Sequence, residues 1–209
     1  MRVLVIGNEK SKEELLGNTT DAAAIQWIKD PGVLPDITGH DACIDLGFDN
    51  TTTRTGWLKR LDAPLIIVNA VNTTLAHLPN SFVRINGWNT FLQRNIIEAA
   101  TANEENKVLA EKVFLYFNKK IQWVPDMMGF ITPRVISSII NEAYFALQEK
   151  VSTPTEIDIA MKLGTNYPFG PFEWSEKIGL VNVHSLLAAL SAEHDRYRPA
   201  DLLIQTALN

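Results

Sequence analysis

Residues 129–179 read GFITPRVISSIINEAYFALQEKVSTPTEIDIAMKLGTNYPFGPFEWSEKIG, and this stretch decides the fold. Thr132 is placed to cap a helix with Pro133 at its first position, and Val135, Ile136, Ile139, Ile140, Ala143 and Leu147 then recur on one face. A second helix opens on Thr153, Pro154 and Glu156, a capping-box arrangement, and Gly164 is expected to end it. A turn rich in proline and glycine follows from Tyr167 to Pro171. Helical stretches resume at Phe172 to Ile178 and Val181 to Leu190. The C-terminal part therefore reads as an all-α bundle covering residues 126–209.

Moving outward toward the N-terminus, the periodicity changes. Arg2 to Ile6, Ile25 to Ile28, Ala42 to Leu46, Leu65 to Val68 and Phe82 to Ile85 are short runs, continuous in apolar residues as buried parallel strands are, and Ile121 to Val124 adds a sixth. Helical candidates lie between them at Ser11 to Leu16, Gly56 to Leu61 and Asn103 to Phe117. Alternating strands and helices imply a parallel α/β sheet over residues 1–125.

The 209 residues are 46% hydrophobic and 21% charged, the composition of a folded chain long enough for two small domains. A net charge of -5 offers no broad field for nucleic acid or anionic lipid, so small-molecule or protein partners are expected. No apolar run approaches the ~18 residues that span a bilayer. The single Cys43 excludes an internal disulfide framework and fits a reducing, cytoplasmic setting. No His, Cys and carboxylate cluster has metal-ligand spacing, so no metal is expected.

Three motifs give the chain a family. Gly129-Phe130-Ile131, the run Ile157 to Gly164 (IDIAMKLG) and Pro168 to Glu173 (PFGPFE) stand in the order and at the spacing found in 3-hydroxyacyl-CoA dehydrogenases. Tyr197-Arg198-Pro199 extends the match more weakly. The chain thus resembles a shortened, divergent member of that family. The resemblance implies a truncated Rossmann-like, NAD-binding-type domain followed by the family's helical domain. It also implies NAD as cofactor, acyl-CoA as ligand, and homodimerisation through the helices. The family reaction is the NAD-dependent oxidation of 3-hydroxyacyl-CoA to 3-oxoacyl-CoA in fatty-acid metabolism.

The same resemblance locates the site residues. Phe82 to Glu98 (FVRINGWNTFLQRNIIE) aligns with the strand and loop that carry the family's catalytic His and Glu. Glu98 matches the glutamate, but the histidine position is Asn86, and an amide cannot accept a proton near neutral pH. Loss of a positioned general base removes about 10²- to 10⁴-fold in rate. Trp88 and Asn89 fall where substrate is bordered, and Thr73 or Thr74 keeps a hydroxyl in the turn that resembles the family's serine turn. The family's helix-start asparagine is Pro133 here, without its side-chain donor.

The cofactor loop differs most. A dinucleotide fold follows its first strand with G-x-G-x-x-G, whereas this chain has Gly7-Asn8-Glu9-Lys10-Ser11-Lys12. Gly7, Asn8 and Asp30 are the remaining cofactor candidates, Asp30 as a ribose contact or a plain surface acid. Two readings follow: an oxidoreductase with impaired catalysis, or a non-catalytic relative that binds acyl-CoA or dimerises. His77 lacks an orienting acid at fixed spacing, and Lys150 and Lys162 read equally well as CoA phosphate contacts and as solvated helix faces.

Overall fold

The computed structural model describes residues 1–17, 19, 24–29 and 38–209, which form two compact units, Met1–Phe130 and Ile131–Asn209. In the first, strands β1 (Val3–Gly7), β2 (Ile25–Lys29), β3 (Ala42–Asp45), β4 (Leu65–Asn69), β5 (Phe82–Ile85), β6 (Ile96–Thr101) and β7 (Lys120–Trp123) make one sheet in the order β2-β1-β3-β4-β5-β6-β7. Helices α1 (Glu9–Leu16), α2 (Thr52–Arg60) and α3 (Glu104–Leu115) connect them. Successive residues along a strand face opposite sides, and in β1, β3, β4 and β5 both sides are buried. Val5, Ile44, Ile67 and Val83 pack with Val113, Phe114 and Phe117 on one side. Ile6, Cys43, Ile66 and Phe82 pack with Trp57 and Leu58 on the other. Apolar surface on both faces is why these strands read as unbroken hydrophobic runs.

The sequence expectation of a parallel sheet needs one correction. β6 runs antiparallel to β5, with Arg84 opposite Ala100 and Ile85 opposite Ala99, while the other neighbouring pairs are parallel. The reason is the connection: residues 86–95 contain no helix that could carry the chain back to the start of the sheet. β6 itself is an addition to the expected strands. Its burial continues from Ile97 to Ala100 although Glu98 interrupts the apolar run. The order reverses at β1, with β2 on one side and β3 on the other, the switch point outside whose carboxyl ends doubly wound sheets receive ligands.

The second unit comprises α4 (Thr132–Gln148), α5 (Pro154–Thr165), α6 (Pro171–Ile178), α7 (Leu180–Ser191) and α8 (Asp201–Leu208) around Ile140, Trp174, Val183, Leu186, Leu187 and Leu203. Two boundaries differ from the sequence reading. Ile131, not Thr132, holds the capping position of α4 and makes no side-chain cap, and Val135 is 51% exposed rather than on the buried face. α5 continues past Gly164 to Thr165, where Asn166 takes the left-handed conformation at φ 56°. The Thr153–Glu156 capping box forms as read.

The runs Ile157 to Gly164 and Pro168 to Glu173 explain how α5 holds α6. Asp158 accepts hydrogen bonds from the backbone N–H of Phe172 (2.8 Å) and Glu173 (3.2 Å), at the start of α6. Lys162, one turn further along α5, pairs with Glu173, whose carboxylate also accepts from Gly170 N–H at 2.9 Å. A Cβ on Gly170 would lie 2.2 Å from Asp158 Oδ1, so this close approach requires glycine.

Candidate functional site

The carboxyl ends of β4 and β5 carry the turn with Thr73 and Thr74 and the residue Asn86. Asn86 is 2% exposed and Glu98 8% exposed. Antiparallel pairing sets them opposite one another: Asn86 N–H donates to the Glu98 carbonyl at 3.0 Å, and Asn86 Nδ2 donates to Glu98 Oε2 at 3.1 Å. Asn86 Oδ1 in turn accepts from Trp88 N–H at 3.4 Å. The buried amide therefore donates to the carboxylate and orients the loop beginning at Gly87. An amide in this place forms hydrogen bonds but cannot take up a proton.

Asn69 and Glu14 fix the surrounding backbone. Asn69 accepts from Gly87 N–H (2.9 Å) and donates to the Leu46 carbonyl (3.2 Å), joining the ends of β3, β4 and β5. A Cβ on Gly87 would meet Asn69 at 2.9 Å. Glu14 of α1 accepts from Thr90 N–H with both carboxylate oxygens, at 2.9 and 2.7 Å, and holds Thr90 at φ 75°. Arg94 stacks over Phe91 with its guanidinium 4.6 Å from the ring centroid. Burial lowers the Arg94 pKa, and the Glu98 charge opposes that shift.

Arg84 fixes the threonine turn, and the sequence reading overlooked it. Its side chain is fully buried. The guanidinium donates to the carbonyls of Ala70 (3.0 Å), Val71 (3.4 Å) and Met127 (3.2 and 3.3 Å) and pairs with Asp126 at 2.5 Å. Asp126 Oδ2 also accepts from Leu75 N–H at 2.9 Å, and Gly129 N–H donates to the Val71 carbonyl at 2.8 Å. The segment 70–75 is thereby clasped to 126–129. The available signal was an arginine inside the apolar strand FVRI, a charge that only saturated hydrogen bonding makes tolerable there.

Of the remaining candidates, Trp88 is buried and Asn89 partly exposed in the loop after Asn86. Pro133 lies near the start of α4 in the helical unit. Gly7 and Asn8 end β1 and precede α1. Asp30 lies outside the described residues. His77 is exposed, and Lys162 is engaged with Glu173. Among the described residues no group of three or more His, Cys, Asp or Glu is arranged to hold a metal, and no helix is long and apolar enough to cross a membrane. The helical unit separately contains a groove of about 490 Å³ lined by Tyr144, Leu147, Phe172, Leu180 and Leu202.

The profile described as 3-hydroxyacyl-CoA dehydrogenase, C-terminal domain, matches residues 129–208. The chain is 37% identical over 118 residues to the 3-hydroxyadipyl-CoA dehydrogenase of Escherichia coli K12, a match spanning 54% of this chain and 24% of that one. It is 30% identical over 183 residues to a probable 3-hydroxybutyryl-CoA dehydrogenase of Bacillus subtilis 168, spanning 78% of this chain and 62% of the relative. The chain thus covers less than two thirds of the length of these curated relatives. The (S)-3-hydroxybutyryl-CoA dehydrogenase structure from Ralstonia eutropha shares the fold, with a TM-score of 0.72 at 19% identity over 98% of this chain and 93% of that one. The seven-stranded sheet, with Glu98 buried on β6, precedes helices α4 to α8, in which Asp158 holds the start of α6, and this helical unit belongs to the 3-hydroxyacyl-CoA dehydrogenase family as its C-terminal domain.

Proposed function

We propose that this is a 3-hydroxyacyl-CoA dehydrogenase-like protein that binds a 3-hydroxyacyl or 3-oxoacyl thioester and whose proton-transfer step is impaired. NAD is the family's cofactor, and the family reaction oxidises 3-hydroxyacyl-CoA to 3-oxoacyl-CoA. The observation that carries the reading is the buried Asn86–Glu98 hydrogen bond. Glu98 keeps an oriented partner, yet that partner has no basic lone pair with which to accept the hydroxyl proton. Asn86 and a hydroxyl of Thr73 or Thr74 are assigned to hydrogen-bond the acyl 3-oxygen, with Trp88 and Asn89 bordering it. Pro133 supplies a helix start in place of the family's side-chain donor. The setting proposed is cytoplasmic.

Calorimetric titration with acetoacetyl-CoA tests the binding half of the proposal. Saturable binding, weakened in Asn86→Ala, is expected, and no detectable heat would sink it. A second reading, that the chain acts chiefly as a dimer through its helical unit, is favoured by the exposed Ile159 and Leu163 of α5.

A further inference from the structure

The crevice outside β1 and β3 is where a doubly wound sheet receives a dinucleotide, with phosphates against glycine backbone and the N-terminus of the first helix. In this chain the residues at that place differ from the fingerprint. Asn8 Oδ1 accepts from Ser11 N–H at 2.8 Å and from Ser11 Oγ at 3.0 Å, so a first-turn donor of α1 is already engaged. Glu9 stands where the second glycine of the fingerprint would be and Lys12 where the third would be, so both positions carry side chains where the fingerprint has none. Glu9 also adds negative charge, only loosely paired with Lys12 at 3.9 Å.

Gly7, the one surviving glycine, serves a different purpose. A Cβ there would lie 3.1 Å from Cζ2 and 3.3 Å from Cη2 of Trp27, and 3.3 Å from Leu46 Cβ. The Trp27 indole reaches across the end of β1 from β2, and its Nε1 is buried without a hydrogen-bond partner among the described residues. The glycine makes room for the indole.

We infer that this chain has closed its dinucleotide crevice with Asn8, Glu9 and Trp27 and binds neither NAD nor NADH there. The inference draws on the proposed function only in naming the ligand that the crevice would otherwise take. Ligand handling is then confined to the acyl thioester, with no hydride donor or acceptor held by this chain.

The test is a titration of NADH into the full-length chain, read by enhancement of NADH emission and by energy transfer from tryptophan, beside a separate titration with acetoacetyl-CoA. Wild type is expected to show no saturable NADH binding below about 1 mM. The triple variant Asn8→Ala, Glu9→Gly, Trp27→Val, checked for native circular dichroism, is expected to bind at least tenfold more tightly. Saturable binding by wild type below about 100 µM would overturn the inference. Silence from both chains would overturn its assignment to these three residues. If the triple variant does not fold, Trp27→Val alone carries the comparison. Loss of acetoacetyl-CoA binding would refute the proposed function while leaving the closed crevice standing.

Discussion

Asn86 shows how one atom type separates a site's framework from its chemistry. Its hydrogen bonds to Glu98 and Trp88 keep the pair buried and ordered, so replacement by a base is geometrically reasonable. With the crevice closed, Asn86→His alone should leave NADH-linked reduction of acetoacetyl-CoA undetectable. In the Asn8→Ala, Glu9→Gly, Trp27→Val background, the same change should raise the rate at least ~100-fold, the ordinary contribution of a positioned base. A large gain from Asn86→His by itself would show an open cofactor site and contradict the coupling. Arg84 makes a stability prediction of the same kind. Arg84→Met strips donors from three carbonyls and leaves Asp126 unpaired, so unfolding free energy from urea denaturation should fall by about 3 kcal/mol, the low end for a broken buried pair because Asp126 retains some exposure. No change in midpoint would refute its role as a clasp. The juxtaposition of Asn86 and Glu98 was legible because the FVRINGWNTFLQRNIIE stretch keeps both residues at a fixed spacing. Arg84 was not, because its partners lie in segments 70–71 and 126–127 that no local pattern links to it.

Among the elements, Asp158 and Lys162 of α5 clamp the start of α6. Gly170→Ala would drive a methyl into Asp158, which is itself held by two backbone donors and cannot withdraw. The expected cost is about 1–3 kcal/mol, measured by denaturation followed at 222 nm. Asp158→Ala should cost a similar amount by stripping the start of α6 of its acceptor. The clamp also gives a pH dependence. Hydrogen bonding and pairing with Lys162 lower the Glu173 pKa, so its contribution is complete above the ordinary glutamate range and is lost as pH falls through the lowered value. Asp158 works in the opposite sense, since desolvation raises its pKa and protonation at acid pH relieves that burden. Glu173→Gln should therefore flatten the acid-side loss of stability. An unchanged pH profile would show that the ion pair is inconsequential. Most of the elements were readable from caps and periodicity, as with the Thr153 box. β6 was not, because Glu98 breaks its apolar run and its antiparallel direction depends on the lack of a helix in 86–95, a property of the connection rather than of the strand.

For the whole molecule, the proposed pairing of copies through the helical unit rests on apolar surface exposed on α5. Leu163 is 82% exposed and Ile159 48% exposed, one turn apart on α5, a pairing that water disfavours and that a second copy can satisfy. In a two-fold dimer each residue contributes twice, so a small patch gains weight through symmetry. Burying a leucine side chain contributes about 1.5–3 kcal/mol, and removing it from both partners should weaken association by about 10²- to 10⁴-fold. On that proposal the wild type sediments at twice its monomer mass, and Leu163→Glu, which adds like-charge repulsion between the paired α5 helices, should sediment as monomer. Leu115 of α3 is comparably exposed, at 63%, but belongs to the sheet unit, so Leu115→Glu serves as the control and should leave the mass unchanged. A monomeric wild type at tens of micromolar, or dissociation by Leu115→Glu with Leu163→Glu inert, would remove the helical unit from consideration as the contact between copies. If Leu163→Glu is monomeric yet still binds acetoacetyl-CoA as wild type does, association and thioester binding are separate properties of the chain, and the α5 surface acts only in assembly.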